Sequence, residues 1–156
     1  MTAKDTSNAQ DISQIKVALL WTKPPIWRRL LVPSSLTLAQ LHNVLQTAMG
    51  WSDYHLHEFN AGKRRIGQPD PEDDFPDSDP IEDELDVRLS DVLRKAGAKI
   101  TYTYDFGDGW EHSIVLEKRL PSDPEAVYPV CLDGRLACPP GAIDFRNVDR
   151  RPRGQR

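Results

Sequence analysis

The sequence of 156 residues has no long apolar run and few cysteines, and both absences exclude classes of protein. No stretch approaches the roughly 18 apolar residues that a membrane-spanning helix requires, so we expect no membrane partner. The start of the chain is polar and lacks an apolar signal core, and only two cysteines are present. These features predict a protein of the reducing cytoplasm, with a length typical of one domain.

Motifs of the common enzyme classes are also missing. There is no Gly-x-Ser-x-Gly sequence to present a nucleophilic serine, and no glycine-rich loop that would hold phosphates before a helix. The acidic residues do not have the spacing of an EF-hand loop. We therefore assign no catalytic residue and expect a non-catalytic protein.

The net charge is −4, but the charges are unevenly distributed. Every charged residue of 68–86 is acidic, and this stretch contains ten acids and four prolines. So few apolar residues cannot offset the entropy lost on ordering, which predicts an exposed acidic loop. That loop lies within a core domain at 12–120. We expect a disordered leader at 1–11, an irregular Pro- and Cys-containing segment at 121–145, and a disordered, arginine-rich tail at 146–156.

Alternating apolar residues predict three β-hairpins. These are residues 15–21 with 26–32, residues 55–59 with 64–67, and two strands within 99–118. Consecutive hairpins favour an antiparallel sheet. The fold class is therefore α+β, in the order β-β-α-β-β-α-β-β, with the helices packed on one face of the sheet.

Two helices are indicated by their terminal residues. Thr37 and Gln40 have the spacing of a capping box, apolar residues recur on one helical face after them, and Gly50 stands where a left-handed cap is expected. A second, shorter helix is predicted near Ser90, which would be its N-cap, and it would end at Gly97.

The bend of the third hairpin collects acidic and aromatic side chains. We take five residues as the candidate functional cluster: Asp105, Asp108, Trp110, Glu111 and His112. Carboxylates grouped in this way suit a cation site or general acid–base chemistry. The alternative is turn chemistry, because Asp before Gly is a common way to form a tight bend. His112 shares the apolar face with Ile114, so it needs a buried partner, a ligand or a place at the rim of the sheet.

Histidines and cysteines support a second hypothesis, the zinc site of a metal-binding protein or of a metal-dependent enzyme. Its ligand candidates are His55, His57, His112, Cys131 and Cys138. Two histidines two residues apart on a strand share a face, and imidazole and thiolate are good zinc ligands. Six residues separate the cysteines, which is more than the usual two to four. We expect no resident cofactor, with zinc as the alternative, and a disulfide is disfavoured in the cytoplasm.

Basic residues beside tryptophans support a third hypothesis, nucleic-acid binding. The candidates are Lys23, Trp27, Arg28, Arg29, Lys63, Arg64 and Arg65. Nucleic-acid binders combine cations for phosphates with aromatic rings for stacking. The alternative is a solvated sheet edge, and the acidic stretch would repel a phosphate backbone. The partner is thus left open between a protein and a nucleic acid.

Five phrases of the sequence, in order, resemble one family. They are KPPIWRRL at 23–30, TLAQLHNVLQTAMGW at 37–51, HLHEF at 55–59, YDFGDGWEH at 104–112 and YPVCLDGRLACPP at 128–140. Together they resemble the plasmid pRiA4b ORF-3-like family, bacterial proteins found on plasmids, near mobile elements and in chromosomes.

The resemblance implies no established activity, and it favours an accessory or interaction module associated with mobile DNA. After CPP the family would continue with a third cysteine and a glycine-rich turn. This chain continues with GAIDFRNVDRRPRGQR, so we expect a truncated or frameshifted C-terminus.

Overall fold

The computed structural model describes residues 11–51, 55–69 and 80–135, which form one α+β domain with a single mixed sheet. The strands are β1 (Asp11–Leu19), β2 (Ile26–Pro33), β3 (His57–Ala61), β4 (Arg64–Gly67), β5 (Ile81–Asp83), β6 (Lys99–Tyr104), β7 (Trp110–Pro121) and β8 (Val130–Arg135). Helix α1 (Leu38–Met49) follows β2, and helix α2 (Leu89–Val92) follows β5. Neither helix of this described part is long and apolar enough to cross a membrane.

The eight strands lie in the order β5-β4-β3-β6-β7-β1-β2-β8. Strands β4 and β5 are parallel, and all other neighbours are antiparallel. The three predicted hairpins are present as β1–β2, β3–β4 and β6–β7. The observed element order contains two strands, β5 and β8, that the predicted order lacked.

The period-two alternation in β1 and β2 correctly predicts which side chains are buried. Ile15 and Val17 in β1 and Leu30 and Val32 in β2 have no exposed surface. The alternation predicted over 15–21 would place Trp21 on the same face, but Trp21 lies beyond the end of β1 and is 86% exposed. Its φ of 65° belongs to the turn between the strands, which takes the side chain out of the alternation.

Helix α1 begins and ends as its sequence predicts. The side chain of Thr37 accepts a hydrogen bond from the Gln40 amide at 3.1 Å, and the Gln40 side chain accepts one from the Thr37 amide at 2.9 Å. At the other end Gly50 has φ of 79°, the left-handed conformation that glycine adopts without strain. Between these caps, apolar residues of one face, including Leu41 and Leu45, are fully buried in the core.

Replacing Thr37 by alanine is expected to lower the free energy of unfolding by about 1 kcal/mol, because the backbone amide of Gln40 in the first turn of α1 loses its side-chain acceptor. Urea denaturation monitored by circular dichroism measures this difference. Thr37→Ser keeps the hydroxyl and is the matched control. A Thr37→Ser protein that is destabilised as much as Thr37→Ala would show that the cap contributes nothing.

The prediction of an exposed acidic loop over 68–86 is wrong for residues 81–83, which form β5. This strand pairs in parallel with β4, and Arg64 donates two 2.8 Å hydrogen bonds to the carboxylate of Glu82. Glu84, just after the strand, is buried. The acidic composition of the stretch hid this strand, because the positive charge that compensates Glu82 comes from Arg64 of β4, 18 residues earlier in the sequence. Residues 70–79 of the predicted loop lie outside the described residues.

The predicted irregular segment 121–145 also contains a strand. Strand β8 pairs with β2 in an antiparallel manner, with Cys131 opposite Leu30. It is an edge strand with one neighbour and mostly half-buried or exposed residues, so it has no alternating apolar pattern. Residues 136–145 and the predicted tail at 146–156 lie outside the described residues, as does the predicted leader up to residue 10.

The short helix α2 differs from its prediction at both ends. Arg88, not Ser90, is its N-cap, and the Asp91 side chain accepts a hydrogen bond from the Arg88 amide at 2.9 Å. The helix ends at Val92, well before Gly97. The amide of Leu89 donates to the carbonyl of Leu36, so a contact with a distant segment sets the start of the helix.

Candidate functional site

Two cavities adjoin helix α1, and the first has largely aromatic walls. It has a volume of about 300 Å³, near the lower end of the range for small-molecule sites. Its lining consists of Gly50, Trp51, His55, Tyr104, Asp105, Asp108 and Trp110. We call it the aromatic cavity. Three residues of the predicted functional cluster, both aspartates and the tryptophan, line it.

The sheet register and the helix cap bring the three large rings of the aromatic cavity together. Tyr104 at the end of β6 pairs with Trp110 at the start of β7. Trp51 follows the helix cap, and its amide donates to the carbonyl of Gln46 at 2.8 Å. The ring centroids of Trp51 lie 5.5 Å from Tyr104 and 5.6 Å from Trp110. These distances are typical of packed aromatic pairs.

The acidic bend supplies the polar part of the same cavity. Asp105 has φ of 62°, and its Oδ1 accepts hydrogen bonds from the amides of Gly107 and Asp108. Its other oxygen, Oδ2, lies 3.5 Å from Nε2 of His55. The turn role that was weighed against a functional role is therefore present, and it holds Asp105 in the cavity wall. Glu111 is different, because alternation along β7 places it on the opposite face of the sheet from His112.

His112 is fully buried behind the aromatic cavity and lines neither cavity. Its Nδ1 donates to the carbonyl of Tyr102 at 3.2 Å, and its ring lies edge-on to Trp51 at 6.5 Å. Nε2 has no hydrogen-bond partner among the described residues. Burial lowers the pKa of His112 to about 4, against the smaller opposing effect of its backbone hydrogen bonds. The imidazole is therefore neutral at pH 7.

The second cavity is polar and has a volume of about 390 Å³. Its lining consists of Ala39, His42, Asn43, Gln68, Pro69, Asp83, Glu84 and Leu85. The lining includes two carboxylates, two carboxamides and an imidazole, and it contains no lysine or arginine. We call it the histidine–glutamate cavity.

A buried polar network forms the inner side of the histidine–glutamate cavity. His57 Nε2 donates to Glu84 Oε1 at 2.6 Å, and their side chains are only 2% and 5% exposed. The ring of His42 stacks on that of His57 with centroids 3.5 Å apart and planes 9° from parallel. His42 Nδ1 lies 2.7 Å from the Tyr102 hydroxyl, which also accepts from Gln46 Nε2 at 2.9 Å. Strands β3 and β6, helix α1 and the segment after β5 all contribute to this network.

Four members of this network were absent from the predicted site: His42, Gln46, Glu84 and Tyr102. The helix did carry a signal, because His42 and Gln46 follow Leu38 at spacings of four and so lie on its buried side. Buried polar side chains on a helix need hydrogen-bond partners, so their positions on the buried side indicate that both belong to a polar network. Glu84 carried no such signal, since it is one acid among ten in its stretch.

The zinc hypothesis gains no support from the geometry. Across residues 11–51, 55–69 and 80–135 no group of three or more His, Cys, Asp or Glu side chains is arranged to hold a metal ion. His55 precedes β3, so it does not share a strand face with His57, and each candidate histidine has a different environment. Cys131 is in a disulfide, contrary to the expectation, and offers no thiolate. Cys138 lies outside the described residues.

The predicted basic residues do not form one surface. Arg28 is buried, and its Nε donates to the carbonyl of Ala48 at the end of α1. Arg29, on the other face, binds both carboxylate oxygens of Glu117 at 2.8 and 3.1 Å, and these bonds raise the pKa of the arginine. Trp27 lies beside Arg29, with the guanidinium 5.1 Å from its ring.

The other basic candidates are on the β3–β4 hairpin and before β2. Arg64 pairs with Glu82, and Arg65 pairs with Glu58 at 3.0 Å. Lys63 is exposed in the hairpin turn, and Lys23 is exposed between β1 and β2. Each of the four candidate arginines thus has a carboxylate or carbonyl partner within the protein.

Two known proteins similar to this chain are described as uncharacterised or of unknown function. An uncharacterised protein, y4hQ of Sinorhizobium fredii, is 41% identical over 130 residues, which cover 83% of this chain. The chain spans 64% of the length of that relative. The crystal structure of the protein of unknown function MM3350 from Methanosarcina mazei has a TM-score of 0.70 at 35% identity. That match covers 90% of this chain and 79% of the Methanosarcina mazei chain.

The family assignment follows from a match that covers most of the sequence. The model of the family described as plasmid pRiA4b ORF-3-like protein matches residues 11–145. The match includes every strand and helix described above, and it confirms the resemblance seen in the five phrases. The chain belongs to the plasmid pRiA4b ORF-3-like family.

Proposed function

We propose that the protein is a non-catalytic interaction module whose aromatic cavity holds an alkylated ammonium group of its partner. The observation that carries this proposal is the convergence of Trp51, Tyr104 and Trp110 around one cavity that also contains two aspartates. An association with mobile DNA is part of the proposal, and its support is the plasmid named in the family's description.

The chemistry of the aromatic cavity favours a cation over other ligands. The face of an aromatic ring is negative, so several rings around one space attract an ammonium group even when that group has no hydrogen to donate. Asp105 and Asp108 add negative charge, and no lysine or arginine lines the cavity to attract an anion. Methyl groups on the nitrogen also gain contact with the rings, which makes an alkylated ammonium a better fit than a hydrated one.

The rival hypotheses have weaker structural support. Phosphate binding needs cations that are available to solvent, whereas the candidate arginines pair with groups of the protein itself. A zinc site needs four ligands around one point, and no group of three or more His, Cys, Asp or Glu side chains in the described part of the chain is arranged to hold a metal ion. A catalytic function needs a group matched to a proton transfer, and the buried His112 is neutral and lines neither cavity.

A matched pair of small molecules tests the cation requirement. Choline carries a quaternary ammonium, and 3,3-dimethylbutan-1-ol has nearly the same shape without the charge. We expect choline to bind with saturation and the neutral alcohol to bind at least about tenfold more weakly, since desolvated cation–π contacts contribute about 2 kcal/mol. Isothermal titration calorimetry measures both affinities, and the fluorescence of the cavity tryptophans provides a second readout.

Two variants locate the binding. Trp110→Leu removes one ring face from the cavity and is expected to weaken choline binding by about tenfold. Trp27→Leu is the control, because Trp27 lies on the opposite sheet face near Lys16 and does not line the cavity. Equal affinity for choline and the neutral alcohol, or equal loss in both variants, would contradict the proposal.

A further inference from the structure

The histidine–glutamate cavity is separate from the aromatic cavity and shares none of its lining residues. Its volume of about 390 Å³ lies within the range of small-molecule sites. The inner wall includes Glu84, a carboxylate whose side chain is 5% exposed. A carboxylate buried to this degree is costly unless its interactions compensate for the lost water.

Three hydrogen bonds, two from its backbone and one from its side chain, hold Glu84 in position. Its amide donates to the carbonyl of Gly67 at 2.9 Å, and its own carbonyl accepts from Ala39 at the start of α1. Its side-chain Oε1 accepts the 2.6 Å hydrogen bond from His57. Among the described residues only Oε1 is engaged, so Oε2 keeps its capacity to accept hydrogen bonds while the side chain lines the cavity.

The other polar lining groups are negatively charged or neutral, and none is a lysine or arginine. Asp83 adds a second carboxylate, and Asn43 and Gln68 add amide oxygens. His42, whose ring stacks on that of His57, also lines the cavity and adds a flat aromatic group to it. This lining would repel phosphate or carboxylate ligands, and it calls for a ligand with positive charge and several N–H groups.

We propose that the histidine–glutamate cavity is a binding site for a guanidinium group, which donates to Glu84 and lies against the ring of His42. Guanidinium is planar, carries five N–H donors and stacks on flat rings. It is also more weakly hydrated than an ammonium, which lowers the cost of entering a buried site. The inference does not depend on the aromatic cavity, which takes a cation without requiring hydrogen-bond donors.

Two probes distinguish the sources of a guanidinium. Agmatine represents a small molecule, and N-acetyl-arginine amide represents an arginine side chain of a partner protein. We expect saturable binding of at least one probe in calorimetry, with the lysine analogue N-acetyl-lysine amide at least about tenfold weaker. Binding of agmatine alone indicates a free ligand, and binding of the arginine amide indicates a protein side chain. Absence of saturable binding by both probes to the folded protein overturns the proposal.

Charge-neutral variants locate the guanidinium. Glu84→Gln keeps the size of the side chain and an acceptor for His57, and it is expected to weaken probe binding by about tenfold or more. Glu82→Gln is the matched control two residues away, since that exposed side chain pairs with Arg64 outside the cavity. If Glu84→Gln fails to fold, as judged by circular dichroism, Asp83→Asn tests the same cavity.

Testing each variant with the ligand of the other cavity shows whether the two cavities bind independently. Trp110→Leu is expected to leave the binding of agmatine and N-acetyl-arginine amide unchanged, because Trp110 does not line the histidine–glutamate cavity. Glu84→Gln should likewise leave choline binding unchanged. A loss of guanidinium binding in Trp110→Leu with none in Glu84→Gln overturns this inference, and failure of choline to bind does not affect it.

Discussion

Replacing His57 by phenylalanine is expected to lower the free energy of unfolding by about 3–5 kcal/mol, because it leaves the buried Glu84 without its partner. The 2.6 Å hydrogen bond joins two side chains that are 2% and 5% exposed, so water has little access to the carboxylate after the change. Phenylalanine preserves a flat ring against His42, which limits the effect to the lost hydrogen bond. Urea denaturation curves of the two proteins measure the difference.

A second variant shows whether the lost stability comes from the unpaired carboxylate of Glu84 or from poor packing of the new phenylalanine. His57→Phe combined with Glu84→Leu removes both polar partners, and it is expected to recover most of the lost stability. The exposed pair of Arg64 and Glu82 is the control, since its side chains are 43% and 42% exposed and Arg64→Met should cost much less stability. A double variant as unstable as His57→Phe would show that the loss arises from packing.

Lowering the pH from 7 to 4 is expected to cost about 3 kcal/mol of stability through His112 alone. Its pKa is about 4 in the folded protein and near 6.5 when the chain is unfolded, because burial disfavours the charged ring. Between these values the unfolded state binds a proton that the folded state does not, so stability is greatest above pH 6.5 and decreases as the pH falls. Each pKa unit corresponds to about 1.36 kcal/mol, which gives this magnitude.

Comparison with a non-titrating ring isolates the contribution of His112. In His112→Phe the slope of the free energy of unfolding against pH, between pH 6.5 and 4, should be smaller by the contribution of one bound proton. All other groups titrate as in the original protein. The free energy of unfolding from urea denaturation at a series of pH values measures this slope. Identical slopes in the two proteins would mean that His112 takes up its proton equally well when folded.

The regular elements of the fold were predictable where short-range chemistry decides them. Helix α1 has its capping box and its glycine cap at the expected residues, because those contacts lie within one turn of the chain. The three hairpins follow from alternation of apolar residues that face a common core. The two missed strands, β5 and β8, are edge strands with little buried surface, so alternation carries no signal for them.

The candidate site was predictable only in part. The bend of the third hairpin did contribute Asp105, Asp108 and Trp110 to a cavity, because a tight turn keeps neighbours in the sequence close in space. Trp51 follows directly after the helix cap, but its position beside Trp110 depends on how the helix lies on the sheet. The histidine–glutamate cavity was not foreseen, since His42 and Glu84 are far apart in the chain.

By itself the sequence determined the α+β class, the hairpins, the capped helix and the family to which the chain belongs. These depend on local hydrogen bonding, on periodic burial and on phrases that stay together in the chain. Only the tertiary structure decided that His57 meets Glu84, that His112 is buried and neutral, and that the arginines pair within the protein. Such pairings join segments that are far apart in the sequence, and the order of strands in the sheet, which local patterns do not encode, sets which segments meet.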